Sequence, residues 1–362
     1  MKPFEIEQLR AIQANFLSSL AATNKSSDND LSHISHTISQ EPLVKDGERF
    51  QAIVIGGTYY KSALYEKQGN AICLYESDEG SQPVFTDEET LLSFITKLIN
   101  PSVTQLALNL AFPLTPQRRN NQLDGTLIRG TKEHEMKGLV GKVVGKTLEA
   151  YVKAKLGRDI PVSVANDTIC LILSGQTYLH DRLGLAGGII GTGTNFAYFE
   201  TSSIAVNLEA ANFSHFPMFP ELKTVDASSI NPNTALFEKA TSGAYLYKLY
   251  NEHVQRLGES IPLLSGSEKI DALADSSSRD HSSQTARIIL TNSAMLCACA
   301  MSAIATHMKR DMVFVMEGSV FWKAWRYQDT VNRFTRLLAP QYNVSSIRIS
   351  ESNIMGAAKL IA

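Results

Sequence analysis

Two short runs in this chain set glycine beside threonine between apolar segments: Gly56-Gly57-Thr58 in "FQAIVIGGTYYKSALYE" and Gly191-Thr192-Gly193-Thr194 in "GGIIGTGTNFAYFE". Glycine lets a backbone approach a phosphate closely, and threonine adds a hydroxyl donor. Either run alone is equally compatible with an ordinary hairpin, and neither fits the GxxxxGK[ST] phosphate loop. A second kind of chemistry is available at Asn166-Asp167, which closes the apolar run "IPVSVAND". A carboxylate at a strand end can accept the proton of an attacking hydroxyl, and the adjacent amide can hold a neighbouring hydroxyl. The same residues also read as a cap on the following helix, and both readings stay open. His33 and His36, at i and i+3, lack an acidic or thiol partner and read as exposed loop histidines rather than metal ligands.

These residues need elements to hold them. Phe4, Leu9, Ile12, Phe16 and Leu20 fall at helical spacing over 3–21, and a polar loop follows. From Phe50 the pattern is strand, turn, strand, with a third strand near 71–75. "TDEETLLSFITKLI" reads as a helix capped by Asp87, "TQLALNLAF" as a buried strand, and "GLVGKVVGKTLEAYVKAKLG" as a helix closed by Gly157. A helix at "DTICLILSGQ" then leads into a second strand, glycine turn and strand. Further helices follow at about 234–256 and 283–308, then a strand "DMVFVMEGS", a helix, the strand "VSSIRIS" and the closing helix "NIMGAAKLIA". Two α/β halves, each with a glycine-containing turn between strands, account for this order economically.

The totals bound the function. The chain has 362 residues, 44% of them apolar and 19% charged, with a net charge of −2. That is enough chain for two cores, and it provides no electrostatic attraction to nucleic acid or an anionic membrane. Cys73, Cys170, Cys297 and Cys299 show no CxxC spacing, which argues against a zinc site or disulfide frame and for a reducing cytoplasm. No signal-peptide core and no bilayer-length apolar run is expected.

From about Leu43 onward the chain resembles the eukaryotic-type hexokinases, in six fragments that occur in the same order. They are "GTLIRGTKEHEMKGLVGKVV", "VANDTICLILSG", "GGIIGTGTNFAYFE", "VNLEA", "NPNTALFEKATSGAYL" and "VMEGSVFWK". The resemblance implies an α/β, two-lobed actin-like ATPase (ribonuclease H-like) fold, with mixed sheets flanked by helices around an interlobe cleft. It divides the chain into an N-terminal segment 1–45, a small lobe 46–166, a large lobe 167–353 and a returning helix 354–362. It also implies an ATP-dependent kinase acting on the 6-hydroxyl of a hexose such as glucose. Asp167 would be the general base and Lys132 would steady the transferred phosphoryl group. Thr131, Lys132, Asn166, Asp167, Asn195, Glu209 and Glu238 would bind the sugar, and Gly56, Gly57, Thr58, Lys61, Gly191, Thr192, Gly193, Gly318 and Ser319 the nucleotide. Carboxylates and amides drawn from several segments suit a ring of hydroxyls, each both donor and acceptor. The expected partners are hexose and ATP, without nucleic acid or membrane, in a cytoplasmic monomer or homodimer.

The chain departs from the family at chemically pointed positions. Val54 stands where the family has an aspartate that helps hold magnesium, Ala111 where it has a sugar-binding serine, and Gly130 where it has a tryptophan. Glu317 replaces an aspartate before Gly318-Ser319, and "SESNIMGAA" lacks most of the glycines usual in the last nucleotide loop. The implied Mg²⁺ then arrives with ATP, held mainly by its phosphates. A sugar-binding regulator without efficient transfer is the alternative. A zinc-bearing bacterial sugar kinase is disfavoured by the cysteine spacing.

Overall fold

A computed structural model describes residues 1–22, 30–69, 71–130, 133–258 and 261–362. Internal contacts divide the chain into two compact units. A helix-rich unit comprises Met1–His33, Ala186–Tyr198 and Asn207–Arg348. A sheet-based unit comprises Ile34–Leu185, Phe199–Val206 and Ile349–Ala362.

The amphipathic N-terminal segment forms α1 (Ile6–Ala21) in the helix-rich unit. It starts later than its spacing suggests because Gln8 Oε1 accepts the Glu5 N–H at 2.8 Å, fixing the first turn there. Its apolar face is buried, and Phe16 packs 4.7 Å from Phe213, ring to ring.

The sheet-based unit opens with β1 (Ile34–Thr37), a strand inside what reads as a polar loop. His36 is therefore not an exposed loop residue: only 3% of its surface is exposed. Burial lowers its imidazole from the ordinary 6.5 to about 4, against smaller opposing hydrogen bonds from the Ile34 and Ala205 backbone. The unfolded chain takes up this proton near pH 6.5, whereas the folded chain resists until about pH 4. The stability is therefore complete above pH 6.5 and is lost as pH falls through that window, approaching about 3 kcal/mol. Urea unfolding at pH 7.5 and 4.5 should show a smaller pH-dependent loss in His36→Leu than in the parent. Equal losses in the two proteins would contradict this.

Then come β2 (Arg49–Ile55), β3 (Tyr59–Gln68), β4 (Ala71–Ser81), α2 (Glu88–Leu98), β5 (Gln105–Leu110), the hairpin β6 (Leu114–Arg119) and β7 (Gln122–Leu127), α3 (Val144–Leu156), β8 (Val162–Ala165) and α4 (Asp167–Ser174). The main sheet has the order β4-β3-β2-β5-β8, with β5 parallel to both β2 and β8. Asp87 caps α2 by accepting the Thr90 N–H at 2.9 Å, and Gly157 ends α3 in the left-handed conformation at φ 68°, both as the sequence indicates. Ile53, Ile55, Leu106 and Leu108 form one apolar core with Leu91, Leu92 and Ile95 of α2 and Leu148 of α3. The β6–β7 hairpin was not anticipated, because polar residues such as Gln117, Arg118 and Arg119 break its apolar pattern.

In the helix-rich unit, β9 (Leu185–Ile190) and the first half of β10 (Thr194–Thr201) are antiparallel; β11 (Ile204–Asn207), all but its last residue in the sheet-based unit, pairs with β1 there. Next are α5 (Pro220–Ala227), α6 (Leu236–Thr241), α7 (Gly243–Arg256), α8 (Ser267–Asp275), α9 (His281–Met308), β12 (Met312–Glu317), α10 (Ser319–Lys323), α11 (Tyr327–Leu338) and β13 (Val344–Ile347). The sheet runs β10-β9-β12-β13. The single helix expected over 234–256 is broken at Ser242, whose backbone is extended at φ −92° and ψ 153°. Contrary to expectation, α9 is long and apolar enough to cross a membrane by length and composition; 89% of its most apolar window is buried inside the protein.

The last element, α12 (Ser352–Ala358), belongs to the sheet-based unit and packs on α4. A Cβ on Gly356 would lie 1.7 Å from the Cys170 carbonyl oxygen, so the two backbones meet where only glycine fits. That packing keeps α4 with β8. By internal contacts the first division of the chain after α4 falls at Leu185/Ala186.

Candidate functional site

In the sheet-based unit the polar candidates collect at one sheet edge. Ile55, Leu110 and Ala165 end three adjacent parallel strands, in register through Ile55–Leu110 and Asn109–Ala165. Gly56, Ala111 and Asn166 therefore follow at the carboxyl ends of neighbouring strands, the usual position for ligands in such sheets.

The first glycine turn is held from behind. Gly56 N–H closes it on the Tyr59 carbonyl at 2.9 Å. The Gly56 carbonyl accepts from Gln82 Nε2 at 2.7 Å, and the Gly57 carbonyl lies 2.8 Å from His134 Nε2. His134 Nδ1 accepts the Phe85 N–H at 2.9 Å, so its neutral ring carries the proton on Nε2 and donates it to Gly57. The buried ring stacks on Phe85 at 5.1 Å and meets Phe112 edge-on at 5.4 Å. With its carbonyls engaged, the turn leaves the Gly57 and Thr58 N–H groups without an acceptor among the described residues. Two unpaired N–H groups beside a threonine hydroxyl form an anion cradle. His134 was missed in the sequence because nothing local links it to Gly57, 77 positions away.

Val54 faces away from the main core, in register with Lys61 on β3 and Asn109 on β5, so the three share a face. Lys61 is bound to Glu351 at 2.6 Å and Glu79 at 2.8 Å. Partial burial alone would lower its ammonium, but the two carboxylates outweigh that and raise it. Asn109 is 1% exposed, and its Oδ1 has no hydrogen-bond partner. Among the described residues, no three His, Cys, Asp or Glu side chains group closely enough to hold a metal ion. This face therefore does not fit a magnesium ion held by the protein.

Asn166 and Asp167 stand at the start of α4. Asn166 caps α4, accepting the Ile169 N–H at 3.0 Å, while Asp167 stands exposed in the first turn. Asp167 Oδ1 accepts the Thr168 N–H at 2.8 Å, which orients the carboxylate at the positive end of the helix. Thr131 and Lys132 lie outside the described residues. Gly130, in the tryptophan position, has no room for a side chain, since its Cβ would lie 1.8 Å from the His134 carbonyl oxygen.

The helix-rich unit gathers the other candidates. The second turn closes through Gly191 N–H to the Gly193 carbonyl at 3.0 Å, and the Gly191 carbonyl accepts from Gly243 N–H at 2.7 Å. Gly318, at φ 106°, abuts this turn so closely that a Cβ would lie 2.1 Å from the Ile190 carbonyl oxygen. Gly191, Thr192, Gly193, Gly318 and Ser319 thus form one backbone-lined surface.

Beside it lies a chain of polar side chains. Glu238 Oε2 accepts the Thr194 N–H at 3.1 Å, and a Cβ on Gly193 would lie 2.9 Å from that oxygen. Asn195 donates to Asn207 Oδ1 at 2.8 Å, and Asn207 donates to Glu209 Oε1 at 2.7 Å. Asn195 Oδ1 accepts two backbone N–H groups, from Phe196 and Ala210, which fixes its amide orientation. Burial raises the Glu238 carboxyl; the Thr194 N–H opposes this and the Glu209 charge adds to it. Glu209 itself takes a left-handed backbone at φ 48°. A buried ion pair between Lys239 and Asp226 at 2.6 Å holds the segment that presents Glu238. Asn195, Glu209 and Glu238 are thereby brought together, with Asn207 as a link the sequence did not reveal.

At the far end of α10 a cavity of about 750 Å³ is lined by Asp271, Lys323, Trp325 and Arg326 among others. Trp325 carries Arg287 at 5.5 Å and Arg326 at 5.3 Å from its ring centre, and its backbone N–H donates to Asp271 at 2.6 Å. This feature was not anticipated from the sequence.

Two family models described as hexokinase match the chain, one over residues 2–177 and the other over 185–283 and 251–362. The chain belongs to the hexokinase family. Hexokinase-1 of Nicotiana tabacum is 29% identical over 246 residues, which is 58% of this chain and 48% of that protein. Hexokinase-9 of Oryza sativa subsp. japonica is 30% identical over 176 residues, 44% of this chain and 34% of the relative. The matched chain thus spans about half or less of the length of these curated relatives. The structure of a Schistosoma mansoni hexokinase complexed with glucose superposes with a TM-score of 0.79 at 18% identity, covering 99% of this chain and 95% of that one. The fold is therefore the α/β actin-like ATPase fold of the hexokinases, with mixed sheets flanked by helices.

Proposed function

We propose that this chain transfers the terminal phosphoryl group of ATP to the 6-hydroxyl of a hexose. The observation that carries the reading is the set formed by Glu238, Asn195, Asn207 and Glu209 beside the Gly191–Gly193 turn. Such a set pairs with several sugar hydroxyls at once and leaves buried polar groups unpaired when a hydroxyl is missing. Asn195, Glu209 and Glu238 bind the ring, and Asp167 takes the proton of the attacking hydroxyl. The N–H groups of Gly57 and Thr58 and the Gly191–Gly318 surface receive phosphate oxygens, with Trp325 and its two arginines at the nucleoside end. By family resemblance, Thr131 joins the sugar set and Lys132 balances charge on the phosphoryl group. Magnesium supplies charge neutralisation on the phosphates of ATP, and no step is assigned to a metal seat in the protein.

A second reading, a sugar-binding regulator with little transfer, is favoured by one observation: Val54, buried and flanked by Lys61 and Asn109, provides no acid. A coupled ADP-release assay with glucose, mannose, fructose and N-acetyl sugars, run beside direct sugar binding, separates the two. Sugar-dependent ADP release is the expected result. Sugar binding with no release would select the regulator, and absence of both would sink each reading.

A further inference from the structure

Three consecutive carbonyls of the first glycine turn are held by two residues of the same sheet-based unit. The Gly56 carbonyl accepts from Gln82 Nε2 at 2.7 Å, the Gly57 carbonyl from His134 Nε2 at 2.8 Å, and the Thr58 carbonyl from the Gln82 N–H at 3.2 Å. These peptides are trans, so each C=O points opposite to the N–H that follows it. A held carbonyl therefore aims the next donor. Gln82 sets the direction of the Gly57 N–H, and His134 sets that of the Thr58 N–H. Those are the two donors of the cradle.

His134 is well fixed for this task. Its Nδ1 accepts the Phe85 N–H at 2.9 Å, so the proton that faces Gly57 sits on Nε2. The segment that carries it is laced to that of Phe85. The Glu135 and Met136 N–H groups donate to the Phe85 carbonyl at 3.0 and 3.2 Å, and the Lys137 N–H to the Thr86 carbonyl at 3.0 Å. Gly130 lets this segment close in, since a Cβ there would lie 1.8 Å from the His134 carbonyl oxygen.

We infer that His134 and Gln82 are positioning residues for the phosphate end of the nucleotide, each acting through a turn carbonyl to aim one backbone N–H at a phosphate oxygen. Donors fixed before the ligand arrives need no reorganisation when it binds. The inference rests on the reading that this turn receives phosphate. It goes further by assigning the aim of the donors to two side chains remote in sequence.

The test measures binding of the β,γ-imido analogue of ATP, with magnesium, to the full chain by calorimetry, so no turnover is needed. Adenosine is titrated by competition, and thermal unfolding is followed for every variant. His134→Phe retains a ring between Phe85 and Phe112 but cannot donate to Gly57. It should bind the analogue about tenfold more weakly, as for one charge-assisted hydrogen bond, with adenosine unchanged. His134→Gln places an amide donor near the position of the ring Nε2 and should return to within about threefold of the parent. Gln82→Leu leaves His134 and its packing in place and should lose about as much as His134→Phe. It also keeps the inference testable if the phenylalanine variant does not fold.

The inference fails for whichever residue's folded variant binds the analogue as tightly as the parent. Equal losses for analogue and adenosine, or a glutamine variant as weak as the phenylalanine one, would mark a packing role and overturn it. A parent that binds the analogue no tighter than adenosine would instead remove the phosphate role of the turn, and this inference with it.

Discussion

Replacing Asp167 with alanine should lower kcat by about 10²- to 10⁴-fold, the range for loss of a positioned general base. Hexose binding should weaken far less, because Asn195, Glu209 and Glu238 are held by contacts that do not involve Asp167. The fold should survive as well. The cap on α4 is Asn166, not Asp167, and Gly356 keeps α12 against the same helix. The change removes an exposed carboxylate that accepts from the N–H and hydroxyl of its neighbour Thr168, so a loss of more than about 1 kcal/mol of stability is not expected. The measurement is kcat on the preferred sugar, with sugar affinity and thermal unfolding followed in parallel. Turnover within tenfold of the parent, in a folded protein that still binds sugar, would remove Asp167 from the base role.

Local chemistry was legible where a residue acts on its own neighbourhood. Asp87 capping α2 and Gly157 closing α3 follow from side-chain reach and φ preference within a few positions. The strand, glycine turn and strand was readable twice, since continuous apolar runs meet at residues that tolerate tight backbone geometry. What stayed hidden depends on partners far along the chain. His134 is an unremarkable histidine until its ring is seen between Phe85 and Gly57. Asn207 gains meaning only from Asn195 and Glu209 on either side. His36 looked exposed because its sequence neighbours are polar, yet pairing of β1 with β11 buries it. The break at Ser242 was invisible to helical periodicity because apolar residues such as Phe237 and Ala240 before it and Leu246 and Leu249 after it run on without a visible interruption. It is set instead by Gly243 N–H turning to the Gly191 carbonyl.

Restoring an acid at position 54 should raise magnesium-dependent turnover by at least about tenfold, the order expected when charge neutralisation at the phosphates improves. The site is unusually prepared for the change. Val54 is 2% exposed, and a buried carboxylate without a partner there would cost several kcal/mol. In Val54→Asp, however, the new group shares its face with the Lys61 ammonium and with Asn109, on whose other side the amide already donates to the Asn353 carbonyl at 3.2 Å. Lys61 can then divide its charge between the new carboxylate and Glu351, so the variant should fold with only a modest drop in unfolding temperature. Val54→Asn matches the shape without the charge and separates packing from electrostatics; it should not gain turnover. The apparent magnesium requirement for ADP release should fall in the aspartate variant alone. If the folded aspartate variant turns over no faster than the parent at any magnesium concentration, the missing acid is not what limits this chain. The explanation would then have to be sought at Lys61, whose two carboxylate partners already engage the charge that a nucleotide phosphate would need.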